Sequence, residues 1–136
     1  MNVYSKSYLK QVVETQGELF DMFARRYPNS DTDDFIVSYM TSRTRAAIDE
    51  GQAYVCTMSA DGLLERFLTV DGYRPKDGVG MKGFMPDWIG RFYAYFQWEE
   101  AKSSAETLAA VPLAYLKSAY PGLHDLELDL AVAKVA

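Results

Sequence analysis

The segment FMPDWIGRFYAYFQW, residues 84–98, sets seven aromatic side chains in fifteen positions. At roughly 100° per residue, Phe84, Trp88, Phe92, Tyr93, Tyr95, Phe96 and Trp98 cover more than half of a helix circumference, leaving Asp87, Arg91 and Gln97 with Gly90 and Ala94 on the remainder. A surface helix needs a narrower apolar stripe, so the segment reads as a central helix wrapped by others. Gly90 and Ala94, four residues apart, would let one neighbour approach closely. A 136-residue chain also has a limited interior, so part of the aromatic surplus is expected at the surface, where a contiguous patch marks a binding site. Trp88, Tyr93, Tyr95 and Trp98 are the binding candidates, and Tyr93, Tyr95 and Trp98 lead because each joins an apolar body to a polar tip.

The remaining chain reads as helical almost throughout. From Ser5 or Ser7 to about Arg26, apolar residues recur at spacings of three and four, and Pro28 and Asn29 end the run. NSDTDDF then supplies a cap and first-turn acids for a second helix from about Thr32 to Glu50, stopped by Gly51. QAYVCTM reads as an extended linker or a helix continuation, since no second strand exists to pair with it. A capped helix follows from Ser59. DGYRPKDGVGMKG, residues 71–83, is a glycine-rich loop whose glycines read as flexibility. Later helices open at Ser103 or Ser104 and at Pro112, and a last one starts near His124 or Asp125. The expectation is a single all-α domain over residues 1–136, a compact bundle of about five to seven helices around the aromatic one.

Composition bounds the function. Hydrophobic residues are 49% and charged ones 24%, the balance of a folded domain. Nineteen acidic against fourteen basic side chains give a net charge of -5, which argues against nucleic acid and anionic membranes as partners. No apolar run approaches the ~20 residues of a membrane helix. One cysteine, Cys56, closes no intrachain disulfide, and without a leader pattern the expected location is cytoplasmic.

Chemical motifs are sparse. His124 is the one histidine, so a Cys/His zinc site is excluded within one chain, and a Cys56/His124 dyad would have to be assembled by the fold. LHDLELDL spaces His124, Asp125, Glu127 and Asp129 as a weak metal set, but the acids read better as helix-start residues. NSDTDDF lacks the glycine and distal glutamate of a calcium loop, and DGVGMKG lacks the order of a phosphate-binding loop. No metal, cofactor or catalytic residue is assigned. Arg43 stands out because it falls on the face of Phe35, Ile36, Tyr39, Met40 and Ala47, where a guanidinium needs a carboxylate or a route to water. A structural ion pair is one reading of it, and a grip on a partner's carboxylate the other. Arg25, Arg26, Arg43 and Arg45 together form a small basic cluster on the first two helices.

The pattern of Trp88, Ile89, Gly90, Tyr93, Tyr95, Ser103, Ser104, Tyr120, His124, Asp125 and Glu127, with FIVSYMTS upstream, resembles a group of small uncharacterised all-α proteins of gut bacteria. Their genes often neighbour those of small ADP-ribosyltransferase-like toxins. The resemblance implies an antitoxin or accessory role without catalytic residues, and the glycine-rich middle loop departs from the group's pattern. The expectation is therefore a non-enzymatic protein that binds another protein, a toxin or a host defence enzyme blocked as a phage inhibitor would block it, through the aromatic segment, Arg43 and His124. A homodimer would hide the same aromatic surface. A small-molecule pocket between helices is the alternative, and shape separates the two: a projecting patch suits a protein, an enclosed one a ligand.

Overall fold

A computed structural model describes residues 3–136. Ser5 opens a 3-10 turn at Lys6–Tyr8, which continues into α1 (Leu9–Arg26). There follow α2 (Thr32–Met40), α3 (Arg43–Asp49), α4 (Ala53–Cys56), α5 (Ala60–Thr69), α6 (Met85–Glu99), α7 (Ser104–Ala110), α8 (Leu113–Leu123) and α9 (Leu128–Val135). No strand occurs among the described residues, and the chain is the all-α bundle its periodicity implies. Among the described residues nine α-helices replace the expected five to seven, because one expected helix divides and QAYVCTM forms a helical turn of its own.

The division is at Thr41 and Ser42. Asp31 caps α2 by accepting from the Asp34 N–H at 3.0 Å. At its other end Ser42 leaves the helix in an extended conformation, and its hydroxyl accepts from the Arg45 N–H at 3.0 Å, starting α3. Serine favours such a cap because its oxygen satisfies an N–H that has no intrahelical partner. Asp71 completes this end by accepting from the Arg43 and Thr44 N–H groups at 2.7 and 3.2 Å. The other surprise is QAYVCTM, which folds into the single turn α4.

At the centre α6 packs mainly on α1, with α7, α8 and α9 also against it. Gly90 permits the crossing: a Cβ there would lie 2.5 Å from the Gln16 carbonyl oxygen and 2.9 Å from the Gly17 Cα. Ile89, Phe92, Tyr93 and Phe96 are buried. A larger aromatic cluster, however, comes from α1, α2, α5 and the loop. Phe23 stacks on Phe35 at 3.8 Å between ring centroids, Phe67 stacks on Tyr73 at 4.6 Å, and Phe20 meets Tyr39 edge-on at 5.9 Å. Such pairs add about 0.5–1.5 kcal/mol each beyond area burial.

The glycine-rich loop is pinned, contrary to the flexible reading. Its residues run antiparallel to 28–31: Asp31 donates to the Lys76 carbonyl at 2.8 Å, Gly78 to Asn29 at 3.1 Å and Gly80 to Pro28 at 3.0 Å. A Cβ on Gly80 would come within 2.8 Å of the Pro28 carbonyl oxygen, and one on Gly78 within 2.9 Å of Asp31 Cβ. These glycines serve close backbone approach, as glycine does wherever two chains must touch.

Candidate functional site

The break at Ser42 turns the basic cluster inside out. Arg43, expected on the buried face, is exposed, and its guanidinium donates to the Val70 carbonyl at 3.0 Å. Arg45 takes the interior position and is fully buried. Its Nε donates to Gln16 Oε1 at 2.7 Å, one terminal nitrogen pairs with Asp49 Oδ1 at 2.8 Å, and the other donates to Gln97 Oε1. Gln97 Nε2 in turn donates to Asp49, whose second oxygen accepts from both the N–H and the hydroxyl of Ser104 at 3.0 Å. Gln16 Nε2 donates to the Gly90 carbonyl at 2.8 Å. The guanidinium also lies 5.9 Å from the Tyr4 ring centroid.

This network joins α1, α3, α6 and α7 through side chains that are all nearly solvent-free. Buried charges persist when they are paired and hydrogen-bonded, and here the one cation is matched by the one carboxylate. The network ties these four helices together through their side chains. The other arginines leave no basic cluster either: Arg25 pairs with Asp21 at 2.6 Å and Arg26 with Asp61 at 2.8 Å.

The aromatic candidates divide by depth. Tyr93, expected at the surface, is fully buried, and its hydroxyl donates to the Val111 carbonyl at 2.7 Å, because position 93 faces the α7–α8 side of the bundle. Trp98 is half-buried and fixed by its Nε1 donating to the Tyr4 carbonyl at 3.1 Å. Trp88 is half-buried between Phe92 and Tyr120, with ring centroids at 5.2 and 5.4 Å. Tyr95 is half-buried, and burial, helped by Glu99 and Asp129, pushes its phenol up. Burial raises the phenols of Tyr4 and Tyr39 as well, with Arg45 partly opposing.

His124 does not begin a helix. It caps the C-terminus of α8, stacks on Tyr120 at 4.5 Å, and holds Asp125 Oδ1 at 3.3 Å from Nε2. The last helix opens at Leu128 with Glu127 as its cap, beyond the expected start near His124 or Asp125, so Asp125 is no first-turn acid. Cys56 is buried against the Ile48 carbonyl, and burial raises its thiol, opposite to what an activated nucleophile needs. The fold gives the two residues separate partners.

The surface feature that stands out involves residues outside the candidate set. Phe84 is 83% exposed and Val79 82%. Phe84 is the residue before α6, with Gly83 at φ 69° behind it and Pro86 in the first turn, so its ring projects from the bundle. Beside it runs an open groove of about 560 Å³, bounded by Ala24, Pro28, Met81 and Pro86 with the charged Asp21, Arg25, Lys82 and Asp87 around them. Two signals mark these exposed residues: Pro86 places the helix start after Phe84, and Val79 is a lone apolar residue between two glycines. No protein family, curated protein or solved structure matches the chain. No helix among the described residues is long and apolar enough to cross a membrane.

Proposed function

We propose that this is a non-enzymatic protein that works by binding another protein through Phe84 and the groove it lines. The observation that carries the reading is the projection of the Phe84 ring, 83% exposed, at an open apolar groove. A phenyl ring left in water forgoes about 1.5–3 kcal/mol of burial, which a covering partner would recover. Small-molecule sites enclose most of their ligand, and this groove is open. An antitoxin or accessory role in a mobile-element operon is the finer proposal, supported by the resemblance through Trp88, Tyr95 and His124. Capture from native lysate with wild-type protein and with Phe84→Asp tests the reading. The partner should be lost from the variant at unchanged melting temperature, and equal recovery by both proteins would sink it.

A further inference from the structure

Resting on the reading of this face as a protein-binding surface, we propose that in the free protein it is covered by a second copy of the same chain, related by a two-fold axis. Shape and charge support this occupant.

Two-fold association requires one surface that is its own complement, so that each contact from one copy to the other is repeated in reverse. Here a projecting ring and an apolar groove lie side by side. Phe84 stands at the edge of the groove formed by Ala24, Pro28, Met81 and Pro86. A two-fold axis between ring and groove carries Phe84 of each copy into the groove of the other. A partner that supplied only a knob would leave the Phe84 ring uncovered, and one that supplied only a hole would leave the groove uncovered. A second copy covers both with the same contact.

Charge narrows the choice of face. The chain carries -5, so most pairs of surfaces brought together from two copies repel. The groove carries two acids, Asp21 and Asp87, and two bases, Arg25 and Lys82. It meets its own copy at no net electrostatic cost. Asp21 is already held by Arg25 and Asp87 by Arg91, each at 2.6 Å. Lys82 pairs with no carboxylate among the described residues, so it is the charge able to reach Asp21 or Asp87 of the other copy.

Sedimentation or light scattering of the purified full chain tests this, at concentrations up to about 100 µM. The wild type should run at twice the monomer mass of 15.4 kDa. Phe84→Asp and, separately, Lys82→Glu should each run as monomers that melt like the wild type, since both side chains line the groove and neither belongs to the core. For Phe84→Asp the dissociation constant should rise at least about a hundredfold, because a two-fold interface loses the ring twice. Tyr115→Asp, at an exposed apolar residue outside the groove, should leave the dimer intact. A wild type that stays monomeric at the highest concentration overturns the proposal, as does a dimer that survives both groove variants. The function reading is judged apart from this: a monomeric wild type that loses its partner only as Phe84→Asp keeps that reading and removes the self-association.

Discussion

Replacing Arg45 by methionine isolates the buried network from the rest of the fold. Methionine fills similar volume, so the loss is electrostatic and polar. Arg45→Met removes the hydrogen bond to Gln16 and that to Gln97 together with the ion pair to Asp49. Asp49, 7% exposed, then remains as a buried carboxylate whose only compensation is its donors from Gln97 and Ser104. Breaking one partner out of such a pair costs about 3–5 kcal/mol. Against a total of about 5–15 kcal/mol for a domain this is a large fraction, and it corresponds to a fall in Tm of about 10–20 °C. Arg43→Met is the matched control: two residues away, exposed, and holding one carbonyl, it should change stability by no more than about 0.5 kcal/mol. Urea and thermal unfolding followed by circular dichroism give both values. Equal melting of the two variants would refute the claim that the helix break at Ser42 exchanges which arginine is buried.

Three further changes follow from the geometry. Gly90→Ala should destabilise by about 1–3 kcal/mol, because its Cβ meets the α1 backbone at 2.5 Å, whereas Gly122→Ala, with nothing within 4 Å, should stabilise by about 0.5–1 kcal/mol; chemical denaturation reads both. Ala101 holds φ 52° at the end of α6, where Lys102 donates back to the Gln97 carbonyl, so Ala101→Gly should raise stability by about 0.5–1 kcal/mol in the same assay. Burial first, and for Tyr73 the hydrogen bond to Asp34, raises the phenols of Tyr4, Tyr39, Tyr73 and Tyr93 above the ordinary 10.0. The folded state then holds more protons than the unfolded one above that pH, so stability is full below pH 10.0 and falls as pH rises beyond it. Ultraviolet titration should show these four silent until the helical signal is lost, and ordinary titration of all ten tyrosines in a folded protein would contradict it.

The helical class was legible because periodicity and capping agreed along most of the chain. Ser59 and Ser103 cap helices at the expected places, the second with Glu106 returning the bond to the Ser103 N–H at 2.8 Å. Gly90 was read as a close-approach residue, and α1 crosses there. The division at Ser42 was missed because Phe35, Ile36, Tyr39 and Ala47 fit one continuous stripe even across a break, and only the serine's capping bond reveals it. That single shift moved the buried arginine from 43 to 45. The polar tip of Tyr93 points to exposure, whereas a carbonyl at the end of α7 satisfies it inside. The loop glycines looked mobile since pairing between 28–31 and 76–80 joins stretches too far apart in sequence for local signals to register. His124 ended a helix instead of starting one because Pro121 is carried within α8.

On the proposed reading, the buried arginine network and aromatic core hold the fold, and Phe84 at its groove contacts the partner. The most direct measurement is quantitative capture from native lysate by wild type, by Phe84→Asp and by Arg43→Met side by side, with the melting temperature of each. One protein should be recovered by the wild type and by Arg43→Met and depleted at least about tenfold with Phe84→Asp, at equal stability. Loss of the partner with Arg43→Met, or full retention with Phe84→Asp, would contradict that reading.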